Sequence, residues 1–139
     1  MAKRVFRPAL LSIAAGVLVL SAMPAQARDK LTGEQQLAKM LEGRVAERPV
    51  NCISLFTGNE NTTVIDKTAI VYGWGNVIYV NRPTNPESLN SDDILISHPT
   101  TGQDCSLDTI QLRDRNTHSY DGFVGLQEFV PWRRVAKPQ

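Results

Sequence analysis

The spacing of apolar residues changes once along the chain, from a helical period to an alternating one. Over about residues 31–46, four apolar residues recur at intervals of three, one and four: Leu37, Met40, Leu41 and Val45. This spacing places all four on one face, so it predicts an amphipathic helix. Thr32 and Gln35 have the spacing of a capping box at its start. Pro49 marks its end, because the residue before a proline favours extended backbone.

After Pro49 the apolar positions alternate with a period of two, which is typical of strands. Seven short runs fit this pattern: 50–56, 63–65, 69–72, 77–80, 93–97, 107–113 and 123–130. Turn signals separate them. The pattern therefore predicts an α+β fold that is mainly β. One N-terminal amphipathic helix covers an open side of a small antiparallel sheet, or of a partly closed barrel, with five to seven strands over about residues 50–130.

The clearest element is a hairpin, because Gly75-Asn76 suits the positive φ angles of a tight turn. A two-residue turn places Tyr72 opposite Tyr79 and Trp74 opposite Val77, so the three aromatic residues share one face. The other face is aliphatic, with Val71, Ile78 and Val80. Two interpretations are open for Tyr72, Trp74 and Tyr79. They form an exposed binding face for a sugar, a peptide or a protein, or they fill the core beneath the helix.

The first 27 residues have the layout of a cleavable secretory signal. Lys3, Arg4 and Arg7 precede an uncharged run at 9–23, and Ala25-Gln26-Ala27 supplies small side chains for a signal peptidase. Such a run rises only about 22 Å as a helix, less than the roughly 30 Å hydrocarbon core of a bilayer. We therefore expect cleavage after Ala27, and a single domain over 28–139 that is periplasmic or secreted.

The chain has two cysteines, Cys52 and Cys105, and both follow the predicted signal. In an oxidising compartment, an isolated pair far apart in sequence is most simply a disulfide. Closing a loop of this length stabilises a fold by about 4 kcal/mol on the chain-entropy estimate. The pair lacks the CxxC spacing and the second ligand cluster that a redox or metal site would need. We expect no cofactor and no metal.

Removal of the signal changes the balance of charge. Twelve Lys and Arg residues then face 14 Asp and Glu residues, a net charge of −2. This balance disfavours non-specific binding to nucleic acid or to anionic lipid. The basic end, Trp132-Arg133-Arg134 with Lys137, is more simply a solvated terminus than a binding site.

Several short strings resemble a family of small exported bacterial proteins. They are Gly43-Arg44-Val45-Ala46, Pro49-Val50, Cys52-Ile53, Val64-Ile65-Asp66, Tyr79-Val80-Asn81-Arg82, Cys105 and Phe129-Val130-Pro131-Trp132. The resemblance covers about residues 40–134, and its mark is a G-R-x-A…P-V-x-C-I opening followed by a second cysteine. That family has no assigned activity, cofactor or catalytic residue. The resemblance thus implies one exported domain and supplies no site.

The catalytic candidates are weak. His98 ends a predicted strand and His118 lies in the polar stretch 116–120, and neither belongs to a nucleophile or zinc motif. Asp92 and Asp93 are adjacent, so on a strand they point to opposite faces and mark a loop-to-strand boundary rather than an acid pair.

A metal site receives no better support from the sequence. Asp104, Asp108 and Asp114 flank the second cysteine, but an extended chain spreads them over more than about 30 Å. The calcium-loop pattern of alternating acids with a central glycine is also missing around them.

These patterns lead to a first hypothesis of a non-enzymatic exported binding or envelope-associated domain. Its ligand would meet the hairpin face or the loop at 114–122, and a protein or glycan of the cell envelope is the expected kind of partner. The alternative is a small hydrolase or lyase that uses His98 or His118 with a nearby carboxylate. A third class, an inhibitor of an exported enzyme, predicts a rigid protruding loop.

Overall fold

The structure, a computed structural model, describes residues 30–54, 61–99 and 101–136. The predicted signal, its cleavage site after Ala27, and Lys137 lie outside these ranges. Within them, no helix has both the length and the apolar character that a membrane crossing requires.

One helix, α1 (Gly33–Leu41), precedes ten strands in the described ranges. The strands are β1 (Arg44–Ala46), β2 (Cys52–Ser54), β3 (Thr62–Ile65), β4 (Ala69–Tyr72), β5 (Val77–Asn81), β6 (Asp93–Ile96), β7 (Gln103–Cys105), β8 (Thr109–Asp114), β9 (Tyr120–Gly125) and β10 (Phe129–Arg134). A 3-10 turn, Pro86–Ser88, lies between β5 and β6. The fold is thus mainly β with one helix, as the alternating pattern predicts.

The strands form three antiparallel sheets rather than one. The largest has the order β1-β10-β5-β4-β3, a second has the order β6-β8-β9, and β2 pairs with β7 alone. The sheets stay open, so the expected partly closed barrel is wrong, as is the expected number of five to seven strands. The run predicted as one strand at 123–130 contributes to two strands, β9 and β10. Pro131 predicts a strand end because proline cannot donate to a ladder, yet it lies inside β10 opposite Tyr79.

The helix is shorter than predicted and is not N-terminal in the chain. The capping box of Thr32 and Gln35 is present in both directions. The helix ends at Leu41, not near residue 46. Gly43 follows it with a φ of +71°, a backbone conformation that residues other than glycine rarely adopt, and so ends the helical backbone. The next residues pair with β10 instead. Val45 therefore lies on an exposed edge strand and not on the apolar face of the helix.

The five-stranded sheet is covered on both faces. The helix-side cluster packs α1 against one face and consists of Leu37, Ile65, Ala69, Val71, Ile78 and Val80, with Met40, Leu41 and Trp132 at its margin. The inter-sheet cluster fills the space toward β6-β8-β9 and consists of Ile53, Ile70, Tyr72, Leu89, Ile110, Leu112, Val124, Leu126 and Phe129. Because both faces are covered, every residue of β4 is buried. This explains why Ala69–Tyr72 reads as a continuous apolar run.

The predicted disulfide is present and joins β2 to β7. Cys52 and Cys105 lie directly opposite each other in the ladder, with their Cα atoms 4.0 Å apart. Ile53, the residue after Cys52, enters the inter-sheet cluster. The bond therefore holds the small two-stranded sheet beside that cluster.

Candidate functional site

A pocket of about 580 Å³ lies where β3 and β6, the edge strands of the two larger sheets, contribute residues to a common cavity. Side chains of β4, β7 and β8 also line it. Val64, Leu95 and Ile110 give it apolar walls. Ile94, Ile96 and Pro99 add to the apolar lining. The polar lining consists of two aspartates, four hydroxyl-bearing residues and one arginine: Asp93, Asp104, Thr62, Tyr72, Ser91, Ser97 and Arg115.

Asp93, the first residue of β6, lines the pocket. Its side chain is 3% exposed, and neither of its carboxylate oxygens receives a hydrogen bond from a donor. Register places it opposite Asp114, and an irregularity in the β8-β9 ladder after Leu112 accompanies the approach of Asp121. Burial raises the pKa of Asp93, and the charges of Asp121 and Asp114 and a side-chain hydrogen bond with the Asp121 carboxyl group raise it further. The charged groups that act on this carboxyl group are therefore other carboxylates.

Asp104, in the middle of β7, lines the pocket beside Ser97, which follows β6. It is 1% exposed, and the Ser97 hydroxyl donates a hydrogen bond to its Oδ1. Burial raises the pKa of Asp104, the hydrogen bond from Ser97 lowers it, and the charge of Asp108 raises it further. The single hydroxyl donor compensates only in part for the removal of this carboxyl group from water.

Two hydroxyl groups add to the polar lining. Tyr72 is 2% exposed, and its ring packs edge-on against Phe129 with centroids 5.6 Å apart. Burial and the nearby charge of Asp104 raise the pKa of Tyr72 above its ordinary range. The hydroxyl of Tyr72 and that of Thr62 are buried without a hydrogen-bond partner.

Buried polar atoms without a partner are concentrated at this pocket. In the described ranges five buried side-chain nitrogen or oxygen atoms lack a hydrogen-bond partner, and four of them belong to pocket-lining residues. They are the two oxygens of Asp93 and the hydroxyls of Tyr72 and Thr62; the fifth is Nε of Arg113. Native folds satisfy nearly all such atoms, so a group of exceptions in one cavity calls for a functional explanation.

The pocket has a negative character. Arg115 is the one cation among its described lining residues, and its guanidinium donates to the carbonyl oxygens of Ser91 and Asp92, each at 3.4 Å. No ion pair joins it to Asp93 or Asp104 in the part of the chain that the structure describes. A ligand that brings positive charge or hydrogen-bond donors would complement this lining.

The three aromatic residues of the hairpin do not form one exposed binding face. The predicted register is present, with Ile70 opposite Asn81 and Tyr72 opposite Tyr79. Tyr72 is buried, Tyr79 is half-buried against the inter-sheet cluster, and Trp74 at the hairpin apex is 77% exposed. The expectation that they would lie beneath the helix is also wrong.

The helix covers the aliphatic face of the hairpin instead, where Val71, Ile78 and Val80 contact it through the helix-side cluster. The aromatic face points toward the second large sheet, which the sequence pattern did not separate from the first. Tyr72 thus reaches the pocket from inside the core.

The two histidines lie outside the pocket lining. His98 follows β6 and is exposed between two lining residues, Ser97 and Pro99. His118 is exposed in the loop after β8, near Asp114, whose carboxylate accepts hydrogen bonds from the N–H groups of Asn116 and Thr117. In the described ranges neither imidazole hydrogen-bonds to a carboxylate. The residues of the predicted hydrolase site are therefore not brought together.

The remaining acidic candidates are dispersed. Asp92 is exposed in the turn before β6, so the loop-to-strand boundary is where the sequence predicts it. Asp108 accepts a hydrogen bond from the Cys105 N–H, and Asp104 lies in β7. Across residues 30–54, 61–99 and 101–136, no three His, Cys, Asp or Glu side chains are grouped to hold a metal ion.

Sequence reasoning singled out Asp93 but assigned it no site. The available signal was the alternation in the run Asp93–Ile96 and Ser97, which places Asp93, Leu95 and Ser97 on the inner face of β6. Asp121 comes near Asp93 only through the irregular β8-β9 pairing. Tyr72 lines the pocket only because a second sheet packs against its face. Neither feature has a local sequence signal.

The resemblance of the sequence to small exported bacterial proteins stays a prediction. Comparison with protein-family models finds no match, and comparisons with curated proteins and with solved structures find none either.

Proposed function

We propose that this protein is a non-enzymatic exported domain that binds a small polar ligand in the pocket between β3 and β6. The observation that carries the proposal is the concentration there of buried polar atoms without partners, on Asp93, Tyr72 and Thr62. Each such atom costs about 1–3 kcal/mol of folding free energy. A cavity that gathers several of them, beside apolar walls, has the composition of a small-molecule site.

The positions of the two buried acids support binding rather than acid–base hydrolysis. Asp93 begins β6, and Asp104 is hydrogen-bonded to Ser97, four residues further along. Four extended residues separate the Cα atoms of Asp93 and Ser97 by about 13 Å. Acids attached at well-separated points along one pocket are better suited to hold two parts of a ligand than to act together on one bond.

Export is the second part of the proposal. It is supported by the signal-like layout of residues 1–27 and by the disulfide between Cys52 and Cys105, since such bonds persist in oxidising compartments. The domain would therefore meet its ligand in the periplasm or in the medium. A solute or a fragment of an envelope glycan or protein is the class of ligand available there.

The test uses protein recovered from the exported fraction of an expressing cell. Intact mass gives the amino terminus, with Arg28 expected first, and native mass spectrometry reveals any small molecule that co-purifies. A thermal-shift panel of neutral, anionic and cationic small polar compounds follows. We expect at least one class to co-purify or to raise the melting temperature.

Two variants locate the binding. Tyr72→Phe removes one hydroxyl group and keeps the aromatic ring, and Asp93→Asn removes one negative charge. Both are expected to abolish the shift, whereas Tyr120→Phe, which alters an exposed tyrosine on β9, retains it. Binding that survives both pocket variants, or a panel and a mass spectrum without any ligand, contradicts the proposal.

A further inference from the structure

We propose, on the basis of the function above, that the ligand is a linear organic dication of the α,ω-diamine type. One ammonium group lies against the carboxyl of Asp93 and the other against that of Asp104, and the methylene chain follows β6 between them. The juxtaposition behind this inference is two buried acids at the ends of one groove with an apolar wall.

The charges around the pocket favour a cation. Asp93 lies among Asp92, Asp114 and Asp121, all of which raise its pKa through their charges. Arg115, the cation in the described lining, is directed to backbone carbonyl oxygens instead. The side-chain group that hydrogen-bonds to Asp93 is a second carboxyl, that of Asp121, and a buried carboxylate that lacks a donor or a cation is a costly arrangement. A ligand ammonium supplies the missing countercharge.

The hydrogen-bonding atoms also fit an ammonium group. An ammonium has three N–H donors and no acceptor, and both oxygens of Asp93 lack a donor. At the other end, Asp104 accepts one hydrogen bond from Ser97, and the buried hydroxyl of Tyr72 lies close enough for its pKa to respond to the charge of Asp104. Both ends therefore offer acceptor oxygens to a donor-only ligand.

The spacing and the walls indicate a two-ended, flexible molecule. Asp93, Leu95 and Ser97 share the inner face of β6, and the run from the first to the last spans about 13 Å. Leu95, Val64 and Ile110 line the stretch between the ends. Methylene groups can pack on such a wall while charged ends meet the acids.

The experiment is calorimetric titration of the exported protein with 1,4-diaminobutane, 1,6-diaminohexane and 1,8-diaminooctane. Hexylamine keeps the chain and one charge, and 1,6-hexanediol keeps the chain and replaces both charges with hydroxyls. The best diamine is expected to bind about tenfold or more tightly than hexylamine, since a second charged hydrogen bond contributes at least that factor. The diol, which has no charge, is expected to bind more weakly still. Ca²⁺, a dication without a methylene chain, is also expected to bind more weakly than hexylamine.

Matched variants test the two ends separately. Asp93→Asn and Asp104→Asn are each expected to lower the affinity for the best diamine to that for hexylamine. Asp92→Asn removes the same charge one residue away on an exposed side chain and is expected to retain most of the affinity. Circular dichroism melting of each variant establishes that it is folded.

The outcomes separate this inference from the proposed function. If a neutral or anionic compound binds in a manner sensitive to Tyr72→Phe and diamines do not bind, the pocket function stands and the dication is wrong. Equal affinity for the best diamine and hexylamine, or an equal loss in Asp92→Asn, also overturns it. If no compound of any class binds at the pocket, both proposals fail.

Discussion

The two faces of the five-stranded sheet differ in what they bury. The face toward α1 contacts aliphatic side chains around Leu37, and none of the unpartnered polar atoms in the described ranges belongs to that cluster. The face toward β6-β8-β9 buries Tyr72 and opens at its edge onto Asp93 and Asp104. One strand, β4, contributes side chains to both clusters: Val71 belongs to the helix-side cluster and Tyr72 to the inter-sheet cluster.

This difference shows how a small domain can separate stability from recognition. Close-packed aliphatic side chains stabilise a fold without specifying a ligand. Buried polar groups without partners reduce stability, and proteins commonly accept that loss at functional sites. Substitutions on the two faces are thus expected to have effects of opposite sign on stability.

Removal of the disulfide is expected to have the largest effect. The double substitution Cys52→Ala and Cys105→Ala should lower the free energy of unfolding by about 4 kcal/mol, because the unfolded chain regains the entropy of the closed loop. Urea denaturation of the oxidised protein, the reduced protein and the double variant measures it. Reduction alone should reproduce most of the loss; a loss below about 1 kcal/mol in both would show that the covalent link contributes little.

The helix-covered face is tested by Leu37→Ala. Leu37 is 1% exposed, and truncation of a buried leucine leaves a cavity that costs about 2–5 kcal/mol. Urea denaturation should show this loss, while ligand affinity at the pocket stays unchanged in the folded variant. Leu31→Ala, at a position 46% exposed, is the control and should cost far less. A change in affinity with Leu37→Ala would mean that the two faces are not separate.

The pocket face is tested by Asp93→Asn, which should raise stability by about 1 kcal/mol at pH 7, because it removes a buried charge that lacks a donor. The raised pKa of Asp93 fixes the pH dependence. The destabilisation of the folded state by the charge of Asp93 is complete above the folded-state pKa. It disappears as the pH falls below the unfolded-state pKa near 4. Melting curves of wild type and variant should therefore converge on acidification. Divergence at low pH would contradict the raised pKa.

The smallest effect is expected at the ion pair of Glu34 with Arg82, which links α1 to the end of β5 with both side chains more than half exposed. Glu34→Gln should cost less than about 1 kcal/mol, and less in high salt. The hydrogen bond from Arg82 lowers the pKa of Glu34, so this contribution is present at neutral pH and is lost as the pH falls through that lowered value. A salt-independent cost would contradict an electrostatic origin.

Local features of the fold could be predicted from the sequence. The capping box of Thr32 with Gln35, the register of Tyr72 with Tyr79, and the disulfide each depend on a few residues and simple rules. The end of the helix at Leu41 was missed although Gly43 marked it, because the apolar spacing continued to Val45. Tertiary pairing with β10 outweighed helical periodicity there.

The division into three sheets could not be predicted, because strand alternation indicates which residues share a face but not which sheet the strand joins. For the same reason the pocket was missed. Asp93 and Tyr72 are 21 residues apart, and they line one pocket only because β6 of one sheet faces β4 of another.

The strand β6, which supplies four of the thirteen residues that line the pocket, has a neighbour on one side only among the described strands. It is at the edge of its sheet and pairs with β8. A strand held by a single ladder can detach for brief intervals while the two clusters stay packed, so its amide hydrogens should exchange with solvent before those of β4 or β5. Entry and escape of a ligand would then follow this local breathing, at rates independent of global unfolding.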